Sequence, residues 1–215
     1  LAFLHLPPHE HLPRQRFLRD LRDGWREVRS REWLWSGLIA AGLGNMLAGP
    51  FFVLGPAIAK ESLGGPGSWA LIVSAFSIGA FAGGFLALHL RPRRPFVASF
   101  VSYLPFALPS LLLAAGVGTV PIALGTLLAG GGIMIGNALW ETTLQEQIPR
   151  ALLSRVTAYD WFGSLVGQPL GYALVGPAVA AVGDTATLAV AGTTTLAANL
   201  IVLSLPSIRA VERRD

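Results

Sequence analysis

The sequence predicts an all-α membrane protein, a bundle of six transmembrane helices preceded by an amphipathic helix. Three observations predict it. Of the 215 residues, 13% are charged and 53% are hydrophobic even with glycine left out, whereas soluble proteins carry about 25% charged residues. The charges cluster, and residues 33–59, 62–90, 95–140, 161–183 and 185–208 form uncharged runs of 27, 29, 46, 23 and 24. Each run reaches the ~20 residues that a helix needs to cross a bilayer. The runs are also apolar on every side, unlike barrel strands, which alternate polar and apolar residues over about ten positions.

Taken in order, residues 1–32 are expected to hold the end of a preceding span and a cytoplasmic linker. The opening Leu-Ala-Phe-Leu-His-Leu-Pro-Pro has neither a Met nor a basic region before a long apolar stretch, so these residues are not expected to act as a signal peptide. His9 and His11 flank Glu10 in what reads as a solvated segment rather than a metal site. With no cysteine in the chain, neither a disulfide framework nor thiolate chemistry is available, and no metal or cofactor is expected. Phe17, Leu18, Leu21, Trp25 and Val28 then recur at helical spacing among Arg, Asp and Glu. That pattern is an amphipathic helix, set either in the anionic headgroup layer or beneath the bundle.

The transmembrane domain is expected over 33–206, with spans near 33–58, 67–90, 95–115, 120–141, 156–182 and 185–206. As one helix the 46-residue run would be about 69 Å long, so it must fold back. Gly116, Gly118 and Pro121 mark the hinge. Residues 207–215 form a tail. All 15 arginines lie at 14–31, 91–94, 150–155 and 209–214, and the alternate connections carry one basic residue, Lys60. By the positive-inside rule both ends and the arginine-bearing loops face the cytoplasm. Topology thereby accounts for the basic balance of +4, and nucleic acid is not an expected partner.

Helices associate in lipid through close approach at small residues. Gly79 and Gly83, Gly132 and Gly136, Gly163 and Gly167, and Gly167 and Gly171 all have the Gly-x-x-x-Gly spacing. Pro50, Pro56, Pro105, Pro109, Pro169 and Pro177 add bends, because each removes a backbone donor.

The fifth span reads Gly167-x-Pro169-Leu-Gly171 and then Gly176-Pro177. This is similar to the glycine- and proline-rich pattern of the fifth and eleventh helices of drug:proton antiporters of the major facilitator superfamily. The stretch from Trp140 to Val156, with Glu141, Gln145, Pro149, Arg150, Ser154 and Arg155, resembles the cytoplasmic loop between helices ten and eleven of macrolide-efflux and enterobactin-exporter proteins. The resemblance covers residues 14–206 and implies the second half of a twelve-helix permease. Between the second and third spans, Gly84-Phe-Leu-Ala-Leu88-His89-Leu90-Arg91-Pro92-Arg93-Arg94 keeps the basic end of the Gly-x-x-x-Asp-Arg-x-Gly-Arg-Arg motif but has Leu88 or His89 in place of its acid.

What the resemblance implies is proton-coupled efflux of a small molecule by alternating access. The setting would be the cell (plasma) membrane of a bacterium, and the missing N-terminal six-helix half would be the partner. It makes the first, second, fourth and fifth spans cavity-lining, and the third and sixth outer. Polar groups inside spans are costly and mark function. Asn45 lies about 18 Å into the first span, Gln168 is at similar depth in the fifth, and Asn137 and Trp140 share a face of the fourth. These four either line a substrate cavity or tie the bundle together, whereas Asn199 is structural. Glu141 and Asp160, at the ends of the fourth and fifth spans, form a cytoplasmic gate with Arg150 or Arg155, or remain solvated helix-end charges. Gly163, Gly167, Pro169, Gly171, Gly176 and Pro177 supply bending and packing.

Two other classes are open to this sequence. One is a complete six-helix membrane substrate-binding subunit or a half-transporter that dimerises. The other, an intramembrane enzyme, is disfavoured, since Gly163-Ser164-Leu165 lacks a following glycine and no later span carries a histidine.

Overall fold

The computed structural model describes residues 14–212, which are helical with no strand among them. His5, His9 and His11 lie outside these residues, as do the side chains of Phe17 and Leu18. Six helical stretches are long and apolar enough to cross a membrane. The first is α2 (Glu32–Leu47) followed by α3 (Gly49–Ser62), and the second is α4 (Pro66–Ala87). The third is α5 (Pro95–Tyr103), a 3-10 turn over Leu104–Ala107, and α6 (Leu108–Ala114). The fourth, fifth and sixth are α7 (Thr119–Gln147), α8 (Arg150–Val182) and α9 (Asp184–Ser204). Helix α1 (Arg14–Ser30) precedes them and α10 (Pro206–Arg209) follows.

Prolines explain the breaks. Pro50 has no N–H to offer the Met46 carbonyl four residues back, and the first span is interrupted at Ala48. Pro105 and Pro109 act alike in the third span, where four residues tighten to 3-10 geometry. Helix α8 runs on through Pro169 and Pro177. A single residue, Gly183, separates it from α9, and the φ of +80° there is one that side-chain-bearing residues rarely adopt.

Two boundaries differ from expectation. The stretch expected as a loop between the fourth and fifth spans is helical except for Ile148 and Pro149. Glu, Gln, Leu, Ala and Arg are strong helix formers, so the charges there mark a change of surroundings and not a helix end. At 33 residues, α8 is about 50 Å long, well over the ~30 Å of a hydrocarbon core. The second span stops at Ala87, ahead of the expected 90, since Pro92 disfavours helix at the residue before it.

The glycines account for the closest packing. A methyl group on Gly79 would run into the Leu127 carbonyl, one on Gly83 into that of Gly131, and one on Gly130 into that of Phe76, so α4 and α7 lie backbone against backbone. Gly132 meets the Ser102 carbonyl and Gly136 the Tyr103 ring, which seats the third span on α7. Gly167 packs on Gly42 and Gly171 on Met46, which seats α8 on α2. Gly163 and Gly176 have open space where a side chain would be.

Two apolar clusters fill the interior. One, around Trp33, Phe96, Phe100 and Trp140, lies toward the arginine-bearing end, and the other gathers Phe51, Ile72, Leu113, Ile122 and Leu188. The arginine-bearing segments converge on the first of these ends. Arg155 lies 3.5 Å from Asp23, Arg94 lies 4.0 Å from Glu212, and Gln147 donates to the Glu212 carbonyl at 3.0 Å. The amphipathic helix docks on the start of α8: Val28 is buried, Tyr159 donates its hydroxyl to the Leu21 carbonyl at 2.9 Å, and Trp25 packs on the Tyr159 ring. Trp25 nonetheless stays half exposed.

Candidate functional site

Helices α7 and α8 separate as they leave the Ile148–Pro149 turn, and α2 lies behind the gap. The space between them is a cavity of about 560 Å³, within the ~300–1,000 Å³ of small-molecule sites. From α2 it is lined by Gly37, Gly44 and Asn45, small side chains that leave room. Helix α7 contributes Asn137, Trp140, Glu141, Leu144 and Gln145, which recur at three- and four-residue spacing and so share a face. From α8 come Leu153, Thr157, Asp160, Trp161 and Ser164, again one stripe. Phe100, Tyr103 and Phe106 of the third span and Asn199 of α9 complete the lining.

Two hydrogen bonds organise these walls. The Trp140 indole N–H donates to Asp160 Oδ2 at 2.9 Å, spanning the gap from α7 to α8. The Tyr103 hydroxyl donates to Asn137 Oδ1 at 2.8 Å. The Trp140 ring is itself fixed by Phe96, with centroids 5.1 Å apart, and by Gly37, where any side chain would strike it. A rigid indole therefore holds one oxygen of Asp160 in place. Asn45 turns its amide back to the Ala41 carbonyl at 3.1 Å, and Asn199 does the same with Thr195 at 2.9 Å. Both keep their side-chain carbonyl oxygens free of these bonds.

Of the residues singled out by sequence, Asn45, Asn137, Trp140, Glu141 and Asp160 are brought together around this cavity. Gln168 is not among its lining. It lies on the exposed side of α8, four residues beyond Ser164 on the same stripe, and donates to the Tyr172 hydroxyl at 3.0 Å. The expected gate pairs are not formed. Arg155 turns away to Asp23 on α1, and among the described residues neither it nor Arg150 forms an ion pair with Glu141 or Asp160. The physical reason is that α8 starts at Arg150, so Arg155 stands on its first turns beside α1, while Asp160 lies a turn or more deeper and faces α7.

Tyr103, Phe100 and Trp161 were missed by sequence reasoning, and Asn199 was assigned a structural role only. The resemblance makes the third span outer, yet its break at Pro105 and the absence of a side chain at Gly136 let Tyr103 reach α7. A tyrosine hydroxyl deep in an apolar run, which must find a partner, was the signal available.

A family model described as Major Facilitator Superfamily matches residues 1–172. The chain belongs to that superfamily. No curated protein matches the chain, and neither does any solved structure. Members of the major facilitator superfamily are transporters rather than enzymes, so this is a membrane-embedded, multi-pass protein of membrane transport.

Proposed function

We propose that the chain acts as one six-helix body of a proton-coupled exporter of small molecules, of the drug:proton antiporter type, and that the cavity between α7 and α8 is part of its substrate path. Alternating access by rocking needs a second body across from this one, and the N-terminal six-helix half of the same permease is the proposed partner. The observation that carries the reading is the stripe on α8. Thr157, Trp161, Ser164, Gln168 and Tyr172 follow one another at helical spacing, the first three lining the cavity and the last two exposed and bonded to each other. Gln168 lies about 27 Å from the start of α8 and about 21 Å from its end. A polar pair there is costly against hydrocarbon and at ease against a water-filled path or a second protein body.

Exposure of whole helices supports the same geometry. In their most apolar stretches α4 and α8 are only 17% buried, against 50% for α7. A helix that meets both lipid and a second body would be the least covered in an isolated half. The arginine-bearing end is taken as cytoplasmic, because cytoplasmic flanks carry excess Arg and Lys.

Flux in proteoliposomes tests the proposal. The chain by itself is expected to give no proton-driven flux, and co-expression with the matching six-helix half is expected to give it. Sustained proton-dependent flux from the 215-residue chain alone would favour a self-sufficient or dimerising unit. Orientation is tested with an impermeant thiol reagent on intact cells: Gly64→Cys should react and Arg94→Cys should not, and the opposite pattern would invert the topology.

A further inference from the structure

We infer that the arginine face of α1 is a binding site for the headgroups of anionic phospholipids. The inference does not depend on the reading of the cavity.

The face is a continuous stripe. Arg19, Arg22, Arg26 and Arg29 follow one another at three- and four-residue spacing, so they share one side of α1, and all four are exposed. On the opposite side Gly24 and Val28 are buried against the bundle. Two acids of the same helix are engaged elsewhere: Asp23 lies 3.5 Å from Arg155 of α8, and Glu27 accepts from Arg31 Nε at 2.7 Å. Among the described residues none of the four arginines forms an ion pair. Like charges three and four residues apart destabilise a helix, and bound anions would offset that repulsion. Guanidinium groups also match phosphate oxygens two at a time.

The place of the stripe selects the anion. Arg31 alone separates α1 from α2, where the first membrane-crossing stretch begins, so the last turn of α1 is tethered to the membrane surface by about 3.5 Å of chain. The seat on α8 agrees with this. A methyl group on Gly24 would lie 3.0 Å from Arg155 Cβ and 3.1 Å from the Tyr159 ring, and the uncharged run of α8 begins at Trp161. Those two contacts stand about 9 and 3 Å ahead of that run at 1.5 Å per residue, and a headgroup layer is about 5–8 Å deep on each side of the hydrocarbon.

Leu21 and Trp25 supply the second feature. They form an exposed apolar edge of α1 between its bundle-facing side and the arginines. Tryptophan is at home at the boundary between headgroups and acyl chains. A phospholipid offers both parts, phosphate to the stripe and chain to the edge, whereas a free phosphate would leave the edge in water.

The test places a fluorophore on Leu21→Cys, an exposed position in a chain without other cysteines. The hydrogen bond that Leu21 accepts from Tyr159 is made by its backbone carbonyl and survives the change. The purified chain is set in nanodiscs of equal parts phosphatidylglycerol and phosphatidylcholine, with bromine on the acyl chains of one lipid or the other. Brominated phosphatidylglycerol should quench several-fold more strongly than brominated phosphatidylcholine. Each basic residue at a membrane surface strengthens attraction to anionic lipid about fivefold. Arg19→Gln, Arg22→Gln, Arg26→Gln and Arg29→Gln together should therefore abolish the difference, with the thermal unfolding midpoint retained. The four corresponding Lys substitutions should keep most of it, as should Arg91→Gln with Arg93→Gln, which removes exposed charge from the same end of the bundle. Soluble glycerol phosphate and polyglutamate should leave the quenching unchanged, and displacement of the lipid by either would overturn the assignment to a membrane lipid. Equal quenching by the two lipids, or none by either, would overturn the site itself. An equal loss in the Arg91 and Arg93 variant would show that the whole end attracts anions and that α1 has no site of its own.

Discussion

Helix α7 meets α4 and α8 in opposite ways. Along α4 the contact is backbone on backbone, with Gly79, Gly83 and Gly130 each set against a carbonyl of the other helix. Toward α8 it presents Asn137, Trp140, Glu141, Leu144 and Gln145, and the gap is bridged by the Trp140–Asp160 hydrogen bond. In lipid no hydrophobic force draws helices together, so association depends on how closely the backbones can approach. The glycines of α8 that pack closely, Gly167 and Gly171, are turned toward Gly42 and Met46 of α2. The cavity therefore opens where large side chains stand between two helices whose small residues face elsewhere.

The largest expected effect comes from breaking the closed seam. Gly79→Leu drives a side chain into the Leu127 carbonyl, and overpacking of this kind costs about 3 kcal/mol when the obstacle is backbone. Membrane abundance and the thermal unfolding midpoint in detergent should both fall sharply; an unchanged midpoint would mean that α4 and α7 are not in close contact.

At the small end is Gly163→Ala. Although Gly163 shares the Gly-x-x-x-Gly spacing with Gly167, a Cβ there meets no neighbour within 4 Å. Replacing a helical glycine with alanine gains about 0.5–1 kcal/mol, so the unfolding midpoint should hold or rise slightly. A marked fall would show that α8 packs on α2 one turn earlier than described.

Much of the fold was legible in the sequence because a bilayer imposes a length, and six apolar stretches of that length stand between charged clusters. The breaks near Pro50 and Pro105 were equally open to reading, since a missing N–H acts locally. Helix ends were less so. Glu141 ends an apolar run without ending α7, and Arg155 and Asp160 stand within α8 ahead of the next run, as nothing in those side chains opposes helical backbone.

For the candidate site, depth could be estimated by counting residues, but facing could not. Asn137, Trp140 and Asp160 lie on the cavity side of their helices, while Gln168, at similar depth to Asn45, is one turn beyond the enclosed part. Arg155 found Asp23 because α1 packs against α8, a long-range contact with no trace in local spacing. Tyr103 depended on a kink and a missing side chain acting together.

On this account the exposed stripe of α8 borders an aqueous path while the exposed face of α9 borders lipid. Water-soluble thiol labelling of single cysteines in native membranes tests this most directly. Ser164 borders the cavity near the middle of α8, and Thr193 is exposed near the middle of α9 without bordering it. Ser164→Cys should react readily and be protected by a bound substrate, whereas Thr193→Cys should stay unreactive. Equal labelling of the two, or labelling of Thr193→Cys alone, would contradict the claim.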